Sequence, residues 1–327
     1  MSKELVYITR EIPEKGINIL SKKFKLKIND KNRNLTKDEI INNAKNAVAL
    51  VTMLGDNIDS ELMDSLPQLK VVANYAVGYN NIDIEAASKR AIAVTNTPDV
   101  LTETTADLSW GLILSTARRI VETDKYNRAG KYNGWAPTLL LGREVHHSKL
   151  GIIGLGRVGK AVARRAKGFG MKVFYNNRKR LGRKKERELE VEYRDLKGLL
   201  RESDFISINA PLNDSTYHLL GEEEFEIMKE KAIVINTGRG AIIDEKALVK
   251  ALKEGEIAGA GLDVYENEPK VEKGLLKMDN VVLTPHIGSA TYEARIKMAE
   301  LAAEGLISAY EGKYIHNLVN EEVINEG

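Results

Sequence analysis

The sequence predicts an α/β protein made of two doubly wound parallel-sheet domains, and three observations carry that prediction. Short apolar strand-like runs alternate with helical stretches from the first residues, a βα succession that favours parallel strands covered by helices. The alternation stops once, at Pro98 and a long helical stretch, and then restarts. The chain has 327 residues, the length of about two domains.

In the first half, strands are expected at Leu5–Ile8, Phe24–Ile28, Ala47–Val51 and Val71–Ala73. Helices are expected between them at Glu14–Leu20, Thr36–Asn43 and Asp59–Asp64. After Pro98 one long helix should run from Thr102 to about Tyr126. Thr102 would cap it, Glu103 would sit in its first turn, and Leu108, Leu112, Ile113 and Ala117 would be among its apolar positions. Residues 130–147 read as loop. The second alternation opens with strand Leu150–Ile153, helix Arg157–Phe169 and strand Lys172–Asn176. Further strands are expected at Phe205–Ile208, Ala232–Asn236, Ala258–Leu262 and Val281–Thr284, with a helix over Asp244–Lys253. A last helix, about Thr291–Glu311, has no strand after it and is expected to return to the first unit. The expected domains are residues 1–98 plus 288–327, a discontinuous unit, and residues 99–287.

Composition excludes several functions. Forty-nine basic residues face 47 acidic ones, a formal net charge of +2, so no electrostatic argument for nucleic acid arises. Cysteine is absent, which removes disulfides, thiolate nucleophiles and cysteine-ligated metals. With no spaced histidine pair either, no metal is expected. No apolar run reaches the ~18 residues of a membrane span, and no long apolar segment follows the first residues. A cytoplasmic protein is expected.

The chemistry starts at Gly154-Leu155-Gly156-Arg157-Val158-Gly159, a G-x-G-x-x-G directly between a strand and a helix. The first glycine permits a tight turn, the second lets backbone approach a pyrophosphate, and the third allows close helix–strand contact. The helix starting near Arg157 offers free N–H groups and its positive dipole end to the phosphates. This is the signature of a Rossmann-like dinucleotide domain. The ribose should be read at the end of the next strand, where an acid marks NAD. Here Asn177, 23 residues after Gly154, is neutral, and Arg178 and Arg180 follow it. A neutral residue removes repulsion against a 2′-phosphate, and arginine can bind one bidentately. NADP(H) is therefore expected ahead of NAD(H).

Catalytic candidates lie at other strand ends, where ligands of open α/β sheets bind. His286 follows the strand Val281–Thr284 and is suited to proton transfer near neutral pH. Arg239, between Gly238 and Gly240, can approach a small anion, and its fork suits a carboxylate. A carboxylate beside His286 would hold the ring and favour the imidazolium. Glu266 and Glu268 both qualify, since residues two apart in an extended segment face the same way.

Taken together these segments resemble the D-isomer-specific 2-hydroxyacid dehydrogenases over nearly the whole chain. The resemblance rests on Val77-Gly78-Tyr79, Asn96-Thr97-Pro98, Thr105-Ala106-Asp107, the glycine motif, Asn236-Thr237-Gly238-Arg239-Gly240, Leu262-Asp263-Val264-Tyr265-Glu266-Asn267-Glu268-Pro269 and Thr284-Pro285-His286. Within that family the chain looks most like glyoxylate/hydroxypyruvate reductases. The resemblance implies two Rossmann-like domains with a cleft between them, and closure of the domains over substrate is expected from that layout. It implies a catalytic set of Arg239, Glu268 and His286 and leaves Glu266 a bystander. His286 would give a proton to the carbonyl oxygen of a 2-keto acid as the hydride arrives, Glu268 would sustain its protonation, and Arg239 would bind the carboxylate. The N–H groups of Val77 and Gly78 would hold that carboxylate too, and Leu54 would border a small substrate. Thr105, Ala210, Pro211, Thr216, Thr237, Gly238, Asp263 and Gly288 would join the glycine turn around the cofactor, with Asp263 at the nicotinamide amide. The resemblance also implies a homodimer through the dinucleotide domain, with Trp135 reaching a neighbour's site. The alternative for Trp135 is a packed anchor of its own loop. His146-His147, Asn80 and Asn176-Asn177-Arg178 depart from the pattern of many relatives.

The leading expectation is reduction of glyoxylate or hydroxypyruvate to the 2-hydroxy acid, the D-isomer where chiral. Other members act on lactate, phosphoglycerate or phosphite, and a dinucleotide-sensing corepressor on the same fold is a further alternative. The segment Met53-Leu54-Gly55 supplies no cation for a phosphorylated tail.

Overall fold

A computed structural model describes residues 3–314 and 316–325. The chain divides into two compact units, Met1–Leu101 with Ser289–Gly327, and Thr102–Gly288.

The first unit holds five parallel strands: β1 (Leu5–Ile8), β2 (Lys25–Ile28), β3 (Ala47–Thr52), β4 (Val71–Asn74) and β5 (Ala93–Thr95), in the order β2-β1-β3-β4-β5. Every residue of β3, β4 and β5 is buried, as a parallel sheet covered on both faces requires. One face carries Val6, Ile8, Val51 and Ala73 under the helices Glu14–Ser21 and Tyr292–Tyr310, which add Leu20, Met298, Ala302 and Leu306. The other carries Tyr7, Leu50, Val72 and Val94, packed on Ile40, Leu62 and Ala87. Each fully buried Leu or Ile in these layers contributes about 1.5–3 kcal/mol of transfer free energy.

The second unit is a seven-stranded parallel sheet: β6 (Lys149–Ile153), β7 (Lys172–Asn176), β8 (Val191–Tyr193), β9 (Phe205–Ile208), β10 (Ile233–Asn236), β11 (Gly259–Leu262) and β12 (Val281–Leu283). Its order is β12-β11-β10-β9-β6-β7-β8. From β6 the chain first builds outward through β7 and β8, then returns to β9 on the other side. That reversal opens a crevice beyond the carboxyl ends of β6 and β9. The helix Thr102–Ala117 lies against the helix Arg157–Ala166, where Trp110 donates from Nε1 to the Val162 carbonyl and stacks on Phe169 at 4.5 Å.

The long helix expected from Thr102 to about Tyr126 is two helices, Thr102–Ala117 and Ile120–Arg128. Arg119 between them is left-handed (φ 55°), and the Ala117 carbonyl accepts the Arg143 N–H at 2.7 Å. Helical continuation loses that carbonyl to the following loop. The expected Arg157–Phe169 helix ends at Ala166 and tightens to a 3₁₀ turn over Lys167–Phe169 before the left-handed Gly170. Strands β5 and β8, three residues each, and the charged helix Arg183–Leu189 are too short or too polar to show a period in the sequence. Among the described residues no helix is long and apolar enough to cross a membrane.

Candidate active site

Three glycines, Gly154, Gly156 and Gly159, follow β6 for three different reasons. Gly154 is left-handed (φ 91°), and a Cβ there would lie 2.6 Å from the Ala210 nitrogen. A Cβ on Gly159 would lie 2.2 Å from the Gly154 carbonyl oxygen, so the helix packs on the strand only without one. A Cβ on Gly156 would meet nothing within 4 Å. Nothing in the protein itself demands that second glycine, and the space beside it suits a pyrophosphate. Gly156 caps the helix without a side-chain hydrogen bond, which leaves the first N–H groups to a ligand. The residues present thus fit a dinucleotide.

At the end of β7, the Asn177 Oδ1 accepts the Leu155 N–H at 2.7 Å and ties the ribose end to the turn. Arg178 is exposed and Arg180 is committed elsewhere. Its Nε and Nη2 donate to the Glu186 carboxylate at 2.8 and 2.9 Å, and its guanidinium lies over the Tyr193 ring. Arg180 first, then the Tyr175 hydroxyl, hold Glu186 down to about 2 against the opposing effect of burial. Lys179, Arg180, Leu181, Gly182, Lys184 and Lys185 line a hollow of about 550 Å³ beside this loop. On the β9 side the Thr216 hydroxyl donates to the Pro211 carbonyl at 2.7 Å and fixes the turn after Ala210.

The strand ends of β10, β11 and β12 carry the catalytic candidates. After β10, Asn236 receives the Gly238 N–H at 3.0 Å and donates to the Arg239 carbonyl at 2.9 Å, closing the turn that presents Arg239. Burial pushes the Arg239 guanidinium down from its usual value and the Glu268 charge opposes that shift. Thr237 shares a 2.8 Å hydrogen bond with Ser109. After β11, Asp263 is 1% exposed, and its carboxylate accepts from the Thr284 hydroxyl and from the Ile287 and Gly288 N–H groups at 2.7–2.8 Å. Burial pushes this carboxyl up despite those donors. The turn so held places His286 in the left-handed region (φ 52°), a strain of about 1–3 kcal/mol that Asp263 offsets. Thr105 closes it from the other side, donating to the Gly288 carbonyl at 3.1 Å.

Glu268 settles the choice between two acids geometrically. Its Oε2 lies 2.9 Å from His286 Nδ1, while its Oε1 accepts the Tyr265 N–H at 3.1 Å. Burial pushes the Glu268 carboxyl up, but His286, the Tyr265 N–H and the Arg239 charge together outweigh it, and it sits below its ordinary value. With Nδ1 engaged, Nε2 is the ring nitrogen left for proton transfer. The Glu266 carboxylate turns to a different histidine, His218.

In the first unit, the carbonyls of Val77 and Gly78 accept from Asn96 and Asn74, both at 2.8 Å. Neither N–H donates to a backbone carbonyl of a described residue. Leu54, 36% exposed, follows β3 in a turn that Asp56 holds. The buried Asp56 carboxylate accepts the Met53 N–H at 2.7 Å and the Thr9 hydroxyl at 2.5 Å. Asn81 Nδ2 donates to both the Met53 and Asp56 carbonyls. This polar underpinning of the two loops was not recognised from the sequence. The available signal was Thr9, directly after β1, and Asp56, in the turn after β3. Trp135 is 83% exposed in the single chain, so it is not a packed anchor of its loop. Among the described residues no His, Asp and Glu group is placed to hold a metal ion.

The model of the D-isomer specific 2-hydroxyacid dehydrogenase NAD binding domain matches residues 110–288. The glyoxylate reductase of Thermococcus onnurineus is 50% identical over 99% of this chain and 98% of its own length. That of Pyrococcus horikoshii is 52% identical over 98% and 97%. The chain belongs to the D-isomer-specific 2-hydroxyacid dehydrogenases. A crystal structure of the NADPH-dependent glyoxylate/hydroxypyruvate reductase from Sinorhizobium meliloti, in complex with NADP and malonate, covers 98% of each chain at 33% identity with a TM-score of 0.85. As a 2-hydroxyacid dehydrogenase the protein is an oxidoreductase of a nicotinamide dinucleotide. The family match falls inside the unit Thr102–Gly288, which contains both the glycine turn and the Glu268–His286 pair.

Proposed function

We propose that this 2-hydroxyacid dehydrogenase reduces glyoxylate and hydroxypyruvate to their 2-hydroxy acids, giving the D-isomer where chiral, with NADPH preferred over NADH. The observation that carries the chemistry is the 2.9 Å contact between Glu268 and His286 Nδ1 beside the phosphate cradle's sheet. The reduced nicotinamide supplies the hydride. Arg239 binds the substrate carboxylate and draws charge toward the carbonyl. In the first unit, the N–H groups of Val77 and Gly78 are the donors offered to a substrate carboxylate, and Leu54 is the side chain that would border a small tail. His286, as the imidazolium, delivers its Nε2 proton to the carbonyl oxygen, while Glu268 accepts the Nδ1–H and holds the ring in place through the transfer. Asp263 supports the turn and is the residue that would hold the carboxamide of a bound nicotinamide.

NADPH preference rests on the neutral Asn177 and on exposed Arg178 beside the lysine-lined hollow. Arg180, which also lines that hollow, is held by Glu186 through Nε and Nη2. Initial rates of glyoxylate reduction with each cofactor test the reading. kcat/KM should favour NADPH, and Arg178→Ala should raise KM for NADPH several-fold more than for NADH. Equal effects on the two cofactors would remove the 2′-phosphate argument. The active form is a homodimer through the dinucleotide unit, with exposed Trp135 and Leu141 covered by the second copy.

A further inference from the structure

His218 belongs to no part of the reducing set, yet it touches two of the loops that carry it. Its N–H donates to the Ala241 carbonyl at 2.9 Å, and the Leu220 N–H donates to Ile242 at 3.1 Å. Leu220 bridges Ile243 in parallel, and the Asp244 N–H returns to the Leu220 carbonyl. Residues 218–220 therefore run alongside residues 241–244, the stretch that leaves Arg239. The His218 ring reaches the other way. Its Nε2 lies 2.8 Å from Glu266 Oε1, and its Nδ1 lies 4.0 Å from Asp244 Oδ2. Glu266 precedes Glu268 by two residues in the segment that follows β11, and its own N–H is held by Glu245 Oε1 at 2.9 Å.

The two loops also meet backbone to backbone. A Cβ on Gly240 would lie 1.8 Å from the Tyr265 carbonyl carbon and 2.4 Å from the Glu266 nitrogen. The Arg239 turn and the Glu268 segment are thus in van der Waals contact at Gly240, and the His218–Glu266 pair closes the same seam from outside. The ring is set for this. It stacks on Tyr217 at 4.0 Å and 14°, and His218 is held left-handed at φ 48°. A histidine kept in that conformation is strained. Stability alone is a poor account of it.

We propose that His218 and Glu266 form a positioning pair that clamps the Glu268 segment onto the Arg239 turn. Neither residue touches substrate or cofactor. Their hydrogen bond fixes the register between the two loops, so that Glu268 addresses His286 Nδ1 while Arg239 keeps its approach to the carboxylate. The pair rests on the reading of Arg239, Glu268 and His286 as the reducing set.

Steady-state kinetics of Glu266→Ala, His218→Ala and the double variant test this, with cofactor dissociation constants measured by fluorescence titration. Each single variant should lose about tenfold in kcat with glyoxylate, short of the hundredfold that a ~1 Å misplacement can cost. Cofactor affinity should change by less than about twofold, because the glycine turn is not touched. The double variant should be no slower than the slower single, as expected for two residues acting through one contact. Glu266→Gln keeps an acceptor for the ring and should restore kcat to within about threefold of wild type. If His218→Ala does not fold, His218→Asn replaces it, since Asn tolerates a left-handed backbone but is too short to reach Glu266. Single variants that lower only the melting temperature, with kcat per folded site unchanged, would overturn the proposal. So would losses that multiply in the double variant. A wild-type enzyme that reduces no 2-keto acid would defeat the underlying reading and the pair with it; a fully active Glu266→Ala would defeat the pair alone.

Discussion

Glu268 shows how one side chain can be read at the residue scale. Two acids, Glu266 and Glu268, share a face in the sequence; the family resemblance picks Glu268, and the fold gives each acid its own histidine, Glu268 meeting His286 and Glu266 meeting His218. Its carboxylate is favoured in the folded state, below its ordinary value, by His286, the Tyr265 N–H and Arg239 acting against burial. The sign follows directly. A depressed carboxyl contributes stability above its unfolded value, about 4.3 for Glu, and loses that contribution as the pH falls through the folded value. Melting temperature should therefore drop less steeply below about pH 4 in Glu268→Gln than in wild type. Identical acid slopes for the two proteins would contradict the assigned environment. Arg178 and Arg180 make the converse point. Both look equally fit for a 2′-phosphate in the sequence, but the ion pair of Arg180 with Glu186 depends on the short helix Arg183–Leu189, which has no readable period.

At the scale of elements, the glycine turn separates what the fold needs from what the ligand needs. A methyl group on Gly159 would collide with the Gly154 carbonyl, whereas one on Gly156 would enter open space. Gly159→Ala should lower the melting temperature of the ligand-free protein. Gly156→Ala should leave that temperature within a degree or two, on the order of a surface substitution, and weaken the cofactor at least about tenfold. Calorimetry with a cofactor titration reads both, and a Gly156→Ala protein that binds cofactor normally would refute the cradle. This turn was legible because its spacing and strand–helix context are local. The strand ends bearing Arg239, Glu268 and His286 were legible for the same reason. The break at Arg119 was not, because the loop that captures the Ala117 carbonyl lies some 25 residues further on. Nor was the Asp56–Asn81 support, which joins residues from three separate strand ends and loops.

Across the whole molecule, each unit encloses its sheet between two apolar layers. The alternation of strands and helices foretold both sheets, since continuous apolar runs are what doubly covered parallel strands require. Trp135, Tyr132 and Leu141 are among the large apolar side chains that a single chain leaves exposed. Sedimentation should find a dimer, and Trp135→Asp should shift it toward monomer; a wild-type monomer at all concentrations would refute the proposed assembly. The central claim is that His286, held by Glu268, protonates a 2-keto acid during reduction. Its most direct test is kcat for glyoxylate with NADPH in wild type and His286→Ala, at equal concentrations of folded protein. The account predicts turnover by wild type and a loss of about 10²–10⁴ in the variant, the scale of general acid catalysis. A variant that turns over at the wild-type rate would contradict it.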